Sequence, residues 1–165
     1  MNSINIIEAN SQHFKEILEI MNYEILNKTS LYDYNERSLT DVEAIFMDKK
    51  EKNFPFYVAI KNNEVLGYAY YGTFNPKQGY AFTVEHSIYL KENATGQGIG
   101  KLLMSKLLEK AKQQNIKTML ALIDEENKNS IHFHEKYGFE TIGVMRKVGY
   151  KFEKWLDCRM MQLIF

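Results

Sequence analysis

The stretch over residues 95–101, which reads T-G-Q-G-I-G-K, has the residue types best suited to bind an anion. Glycine has no Cβ, so its backbone can adopt positive φ and a ligand can approach its amides closely. An alternating apolar run at residues 87–90 precedes the stretch and a helical run from Leu102 follows it, which predicts a strand, a glycine turn and a helix. The first turn of a helix has unpaired N–H groups and a partial positive charge. This order therefore predicts a site for a phosphate-sized anion that needs no basic side chain.

Two familiar phosphate-binding loops do not fit this stretch. A Walker A loop needs four residues between its first glycine and G-K and then Ser or Thr, but only three separate Gly96 from Gly100, and Leu102 follows Lys101. A dinucleotide-binding fingerprint needs a third glycine where this chain has Lys101, and it opens a strand–helix–strand unit, whereas this loop lies past the middle of the chain. A glycine turn that only caps a helix remains the alternative.

Composition limits the class of protein. The 165 residues predict one domain over residues 1–165, and the 45% that are hydrophobic allow a substantial core. The 21 basic residues balance 21 acidic ones, so the basic excess typical of nucleic-acid binders is missing. The single cysteine, Cys158, excludes a disulfide within the chain. With neither a signal-peptide pattern nor a membrane-length apolar run, these features predict a cytoplasmic protein without nucleic-acid or membrane partners.

Changes in hydrophobic period predict the order of the secondary-structure elements. The predicted elements are a short strand near residues 4–6, helices over 13–26 and from a capping box at Thr40 and Glu43, strands over 56–60, 65–74 and 80–90, a helix over 100–114, a doubly buried strand over 117–123, a helix over 129–137, and a closing pair over 140–148 and 155–165. This order predicts an α+β fold, with a mixed and mostly antiparallel sheet flanked by helices.

The same order, with the glycine loop where it falls, resembles the GCN5-related N-acetyltransferase (GNAT) fold over the whole chain. Within that superfamily, the chain is similar to the phosphinothricin/methionine sulfoximine N-acetyltransferase group. The motifs that carry the resemblance are T-V-E-H-S at residues 83–87, I-D-E-E-N at 123–127, S-I-H-F-H-E-K-Y-G-F at 130–139 and V-G-Y-K-F-E-K-W-L-D at 148–157. The first and last of these are typical of the group.

The resemblance implies acetyl-CoA as the acetyl donor. In this fold the strand before the glycine loop parts from its neighbour at a bulge, and the pantetheine arm pairs with the strand backbone. The residues implied to bind acetyl-CoA are Ile88, Tyr89, Leu90, Thr95, Gly96, Gln97, Gly98, Ile99, Gly100, Lys101, Asn127 and Ser130. The superfamily usually has Arg or Gln at the position of Thr95, where a charged side chain would add a charge-assisted bond to the pyrophosphate.

The resemblance also implies the groups that act in catalysis. Glu85 matches the family's general base, and a backbone N–H near Ile88 or Tyr89 would polarise the thioester carbonyl. His134 stands where many members have the tyrosine acid, so it would protonate the sulfur or order a water chain. The alternatives are that Glu85 is a solvated strand carboxylate and that His134 only packs against the cofactor. His132 and His134 face apart on a helix, so no metal site is predicted.

For the amine acceptor, the resemblance implies a pocket at the end of the same strand and on nearby loops. Its residues are Tyr32, Phe74, Asn75, Lys77, Glu85, His86 and Ser87. The group usually has Arg at position 75, where it grips a carboxylate, and an Asn75 amide cannot replace a guanidinium. Lys77 is the alternative source of positive charge. Trp155, although part of a group motif, is expected in the core, as is Tyr137.

Taken together, these features predict an acetyl-CoA-dependent N-acetyltransferase. The amine of a small amino acid or analogue, such as phosphinothricin, methionine sulfoximine or methionine sulfone, would attack the thioester directly in a ternary complex. The resemblance also implies a homodimer. A non-catalytic CoA-binding sensor and an acetyltransferase for a different small amine remain alternatives, because Thr95 and Asn75 stand where charged or larger polar residues are usual.

Overall fold

The structure of the chain is a computed structural model that describes residues 3–165. The predicted domain boundary at residue 1 lies outside these residues. The helices are α1 (Phe14–Asn27), α2 (Leu39–Glu51), α3 (Ile99–Gln113) and α4 (Lys128–Glu135). The strands are β1 (Asn5–Glu8), β2 (Phe56–Lys61), β3 (Glu64–Thr73), β4 (Thr83–Leu90), β5 (Thr118–Asp124), β6 (Glu140–Lys151) and β7 (Lys154–Ile164). Their order along the chain is the one predicted from the sequence.

All seven strands join in one mixed sheet. The strand order is β1-β2-β3-β4-β5-β7-β6. The pairing of β4 with β5 is parallel, and every other neighbouring pair is antiparallel. The predicted α+β class, with a mixed and mostly antiparallel sheet, is therefore confirmed.

Each face of the sheet has its own hydrophobic core. On one face, α1 and α2 bury residues such as Ile17 and Val42 against Val58 and Tyr68. On the other face, α3 buries an apolar stripe that includes Leu103 and Leu107, together with strand residues. Burying each such side chain stabilises the fold by about 1.5–3 kcal/mol. A residue on a central strand therefore points either toward α1 and α2 or toward α3, and this alternation decides the surroundings of the candidate site.

Helix α2 begins at a different capping box from the predicted one. The Ser38 side chain accepts the Asp41 N–H, and the Asp41 carboxylate accepts the Ser38 N–H at 2.7 Å. The predicted box at Thr40 and Glu43 is therefore wrong, because Thr40 already lies inside the helix. Both pairs have the S/T-x-x-D/E spacing, and the cap that forms is the one at the end of the extended loop.

Three further predictions need correction. The strand predicted from residue 80 begins at Thr83, because Gln78–Tyr80 forms a short 3-10 turn. On β5, for which the sequence predicts burial on both faces, Leu122 is 40% exposed beside a cavity. Trp155, predicted in the core, is 62% exposed and packs on Tyr150 across the outer β6–β7 pair. The β6–β7 pair lies at the edge of the sheet.

Candidate active site

The centre of the sheet opens where β4 and β5 separate. Their parallel ladder runs only from Thr83 paired with Thr118 to Glu85 paired with Leu120. Beyond that point, β4 stays beside β3 as far as Leu90, and β5 stays beside β7 as far as Asp124. The β3–β4 ladder keeps one register throughout, so the strands part without the bulge implied by the resemblance. The gap forms a cavity of about 400 Å³.

Backbone groups along β4 face the gap at alternate residues. At one end of the strand, the Phe82 carbonyl accepts N–H groups from residues 117 and 118 on the β5 side. At the other end, the Lys91 N–H donates to Leu66 O on the β3 side. Because backbone groups alternate sides along a strand of constant register, even-numbered residues point toward the gap. Among the predicted pantetheine partners, Ile88 and Leu90 thus offer backbone groups to the gap, whereas those of Tyr89 face β3.

The glycine loop supplies free N–H groups at the mouth of the cavity. Gly96 and Gly98 have φ of 77° and 81°, a left-handed conformation that favours glycine. Helix α3 has no side-chain cap, and within residues 3–165 the N–H groups of residues 96–100 find no acceptor. Thr95 binds back to Glu92 O through its hydroxyl at 2.9 Å. The loop is therefore a preformed anion site built from backbone groups.

The predicted loop residues contribute to this site in different ways. Thr95, Gly96 and Gly100 line the cavity. Ile99 is fully buried in the core below α3, so only its backbone is available to a ligand. The remaining loop residues, Gln97, Gly98 and Lys101, do not line the cavity.

Helix α4 forms the opposite wall of the cavity. Asn127 caps this helix, because its Oδ1 accepts the Ser130 N–H at 3.1 Å. The cap occupies the amide oxygen and leaves the Nδ2 group of Asn127 as a donor. Asn127 and Ser130 both line the cavity, as the resemblance implies for residues that contact the pantetheine arm.

Glu85 lies at the last ladder position before the gap. Its cross-strand partner is Gly72, and a Cβ added at Gly72 would lie 2.8 Å from Lys49 Nζ, so Glu85 faces α2. Burial raises the pKa of the Glu85 carboxyl, and the Lys49 ammonium opposes that rise. A partly buried carboxylate with a raised pKa is suited to accept a proton near neutral pH.

His86 points to the other face of the sheet from Glu85 and Ser87. It is buried, and its Nε2 lies 3.0 Å from Nε2 of His134 on α4. His134 Nδ1 lies 2.6 Å from the Ser130 carbonyl oxygen. Both rings line the cavity. The structure therefore separates His86 from the other predicted acceptor residues on β4 and joins it to the predicted acid.

On the α1–α2 face, Ser87 and Tyr32 lie on the same side as Glu85. Burial raises the pKa of Tyr70, and its hydrogen bond with Ser87 opposes the rise. Tyr32 packs so closely on Gly149 that an added Cβ there would lie 2.5 Å from the Tyr32 ring. The Tyr32 contact joins the loop between α1 and α2 to the β6–β7 hairpin.

The turn after β3 does not reach the cavity. Asn75 Oδ1 accepts the Lys77 N–H at 3.0 Å, and Phe74 packs on Tyr80 with 5.7 Å between ring centroids. None of Phe74, Asn75 and Lys77 lines the cavity. The three residues therefore form a turn with its own internal contacts outside the cavity, which Ser87 lines and Glu85 does not.

Sequence reasoning missed a polar cluster on the cavity wall. Glu24, near the end of α1, is buried and accepts hydrogen bonds from Lys28 Nζ at 3.0 Å and from the Ser30 hydroxyl. All three residues line the cavity. The helical spacing does indicate that Glu24 is buried, because Glu24 lies seven residues after Ile17 on the apolar face of α1.

A second residue without a predicted role, Lys151, anchors the loop that follows α1. This lysine is 3% exposed and donates to Lys28 O at 2.7 Å and to Leu31 O at 2.6 Å. Burial lowers its pKa. The β6–β7 hairpin thus fixes the loop that carries Ser30 and Tyr32.

Residues 3–165 contain no group of three or more His, Cys, Asp or Glu side chains placed to hold a metal ion. Every helix in the same residues is too short or too polar to span a bilayer.

The split sheet, the strand edge along the gap and the glycine-led helix at its mouth define the fold class of the N-acetyltransferases. Comparison with known proteins agrees with this class. The chain belongs to the Acetyltransferase (GNAT) family, which matches residues 20–139.

Relatives with established names refine the comparison. The L-methionine sulfoximine/L-methionine sulfone acetyltransferase of Pseudomonas aeruginosa is 38% identical over 162 residues, 98% of this chain and 94% of the relative. The L-amino acid N-acyltransferase of Escherichia coli is 33% identical over 147 residues, 89% of this chain and 86% of the relative. A crystal structure of the Sinorhizobium meliloti phosphinothricin acetyltransferase in complex with acetyl-CoA is 32% identical, covers 98% of this chain and 88% of its own, and has a TM-score of 0.95. These matches confirm the predicted family, fold and transferase class.

Proposed function

We propose that this chain transfers the acetyl group of acetyl-CoA to the amine of a small amino acid or analogue, such as methionine sulfoximine, methionine sulfone or phosphinothricin. The observation that carries the proposal is the split between β4 and β5, with the partly buried Glu85 at its closed end. The names of the relatives support the acceptor class, and the Sinorhizobium complex supports the donor.

The residues around the cavity fit the chemistry of acetyl-CoA. The β4 edge presents unpaired backbone groups, which suit the amides of a pantetheine arm. At the mouth, the free N–H groups of residues 96–100 suit a pyrophosphate. Across the gap, Asn127 Nδ2 is free to donate to the arm. Because Thr95 carries no charge and bonds back to Glu92 O, the backbone N–H groups supply most of the binding energy for the pyrophosphate.

When bound, acetyl-CoA supplies a thioester carbonyl carbon that an amine attacks. Glu85 takes the proton that the amine must lose, and burial of its carboxyl prepares it for this role. The Ile88 N–H points into the gap and hydrogen-bonds the thioester oxygen, where negative charge develops. A positioned base contributes about 10²–10⁴-fold to such a rate.

The acceptor binds on the α1–α2 face of the gap, beside Glu85. Ser87 and Tyr32 form part of that region, and Lys151 holds the loop above it. Asn75 Oδ1 accepts the Lys77 N–H, which leaves only the neutral Nδ2 group to donate to an acceptor carboxylate, and this group supplies no charge. Lys77 on the same turn remains the source of charge that we propose.

We further propose that residues 1–165 form one domain and that the protein is a cytoplasmic homodimer. One continuous sheet runs through the described residues and supports the single domain. The exposed aromatics of the β6–β7 edge, including Trp155 and Phe152, support an interface between two copies. The lone Cys158 is compatible with a reducing compartment.

A thiol-release screen tests the proposed function. Purified protein is mixed with acetyl-CoA and each of the 20 L-amino acids, methionine sulfoximine, methionine sulfone, phosphinothricin and a set of simple amines. We expect release of CoA thiol above background with at least one amino acid or analogue. Binding of acetyl-CoA without thiol release in any mixture would favour a CoA sensor, and release with simple amines alone would refute the acceptor class.

A further inference from the structure

The buried pair of His86 and His134 connects the two walls of the candidate active site. His86 is the first residue of β4 beyond the β4–β5 ladder, and His134 lies in the last turn of α4. The rings stack with 5.0 Å between centroids and 23° between planes, and Phe139 packs edge-on against both. The imidazoles are 7% and 5% exposed. The ladder between β4 and β5 ends at this point, and the imidazole pair links β4 to α4 instead.

Hydrogen-bond partners determine where the protons of the pair lie. The Ser130 carbonyl can only accept, so His134 Nδ1 carries the proton of the 2.6 Å bond. The neutral His134 ring then has its lone pair on Nε2, and His86 Nε2 must donate across the 3.0 Å contact. The remaining nitrogen, His86 Nδ1, is an acceptor that is buried without a partner among residues 3–165.

Both N–H groups of the pair are therefore already in use. His134 has neither a free proton nor a free lone pair, so it cannot protonate a leaving sulfur without breaking one of its two bonds. A third proton would create a buried cation. Burial and the neighbouring His134 lower the pKa of His86 to about 3, and burial also lowers the pKa of His134, so the pair stays neutral near pH 7.

We propose that His86 is a positioning residue and that the His86–His134 bond acts as a strut, holding α4 at the distance from β4 that the donor needs. The proposal rests on the proposed function. In this arrangement His134 is not the general acid. The amine gives its proton to Glu85, the leaving thiolate takes up a proton from solvent, and Glu85 returns its proton to solvent, so that the protons balance. The strut sets the place of Asn127 and Ser130, which lie at the start of the helix that carries His134.

The test compares substitutions that keep the hydrogen bond with substitutions that remove it. His134→Gln keeps an oxygen able to accept from His86 Nε2 but cannot act as an acid near neutral pH. His134→Phe and His86→Phe keep the ring volume and remove the bond. The matched control is His132→Gln, because His132 is exposed on the same helix. Steady-state kinetics and the Kd for acetyl-CoA are measured for each variant and for the double Phe variant.

If the His86–His134 bond is a strut, the loss of activity should depend on whether a variant keeps the bond, and the effects of the two Phe substitutions should not add. His134→Gln should lower kcat by less than tenfold, whereas each single Phe variant should lower kcat/KM by more than tenfold and raise the Kd for acetyl-CoA. The double Phe variant should be no worse than either single variant, because it leaves no buried donor or acceptor of the pair unpaired. A 10²–10⁴-fold fall of kcat in His134→Gln, with acetyl-CoA binding intact, would overturn the proposal in favour of a general acid.

Nitrogen NMR of the labelled imidazoles measures the tautomer and the titration of each ring in the wild-type protein, independently of any loss of folding in the variants. We expect His134 in its Nδ1–H form, His86 in its Nε2–H form, and no titration of either between pH 6 and 9. Titration of His134 in that range would contradict the strut. A wild-type protein that binds acetyl-CoA normally but transfers no acetyl group would instead refute the proposed function, and the NMR result would still judge the strut.

Discussion

Replacing Glu85 by glutamine isolates the proton-transfer step of the proposed reaction. Glu85 lies between Gly72 on β3 and Leu120 on β5 in the sheet, and glutamine has nearly the same shape. The variant should therefore keep the sheet, the gap and the glycine loop. What it lacks is a group that can accept a proton from the amine.

The expected fall in rate follows from the role of the carboxylate. A positioned general base is worth about 10²–10⁴-fold, so kcat should fall by that factor, which is about 2.7–5.4 kcal/mol of activation free energy.

The free energy of unfolding should not fall with the rate. Burial raises the pKa of Glu85, so the native state binds this proton more tightly than the unfolded state, and the ionised carboxyl costs stability above that pKa. Glutamine removes this cost, and the variant should be at least as stable at pH 7.

The assay combines thiol release at saturating substrates, calorimetric binding of acetyl-CoA and thermal unfolding. The matched control is Glu140→Gln, which changes an exposed strand carboxylate at the far edge of the sheet. Turnover of the Glu85 variant should also rise with pH as more free amine is present. An unchanged kcat would refute Glu85 as the base, and a fall in turnover that disappears at saturating acetyl-CoA would place Glu85 in binding.

Three further substitutions test the surroundings of the site. Lys49→Met removes the cation that lowers the pKa of Glu85, so this pKa should rise and the acid limb of kcat/KM against pH should move to higher pH. No movement, or a movement to lower pH, would contradict the electrostatic interaction between Lys49 and Glu85. Gly98→Ala forces a side chain into left-handed φ at a cost of about 1–2 kcal/mol, so calorimetry should show a Tm lower by about 2–8 °C; an unchanged Tm would refute the strain. Thr95→Arg adds an exposed ion pair with the pyrophosphate of acetyl-CoA, which is worth about 0.2–1 kcal/mol. The Kd for acetyl-CoA should therefore fall by about 1.5- to 5-fold, and a marked rise would contradict the binding of the pyrophosphate at this loop.

Local sequence signals predicted most of the fold. Helical spacing over residues 13–26 and the apolar runs of β2 and β3 between turn residues predicted elements within one or two residues of their bounds. Capping was less predictable. Ser38 and Thr40 both begin a capping-box spacing, and only the tertiary path of the preceding loop selects Ser38.

The candidate site was predictable in its residue types and less so in its geometry. The motif T-V-E-H-S places Glu85, His86 and Ser87 in sequence, but strand alternation puts His86 on the opposite face, where it meets His134 from a distant helix. The absence of a bulge on β4 likewise decides that Ile88, and not Tyr89, turns its N–H toward the gap. Both facts depend on long-range pairing that no local pattern records.

Exposure at the sheet edge explains the error at Trp155. A large aromatic in an alternating strand usually indicates a core position. Here Trp155 and its cross-strand partner Tyr150 lie near the turn of the β6–β7 hairpin at the edge of the sheet, where they are 62% and 46% exposed. The sequence carries the alternation of a strand but not its place in the strand order.

Product analysis of the wild-type reaction tests the central claim most directly. Protein, acetyl-CoA and L-methionine sulfoximine or L-methionine sulfone are incubated together, and mass spectrometry quantifies the acetylated amine while a thiol reagent quantifies CoA. The account predicts equal amounts of N-acetyl product and free CoA, both dependent on protein and lowered in Glu85→Gln. Thiol release without N-acetylated amine, or acetyl-CoA binding with neither product for any amino acid acceptor, would contradict it.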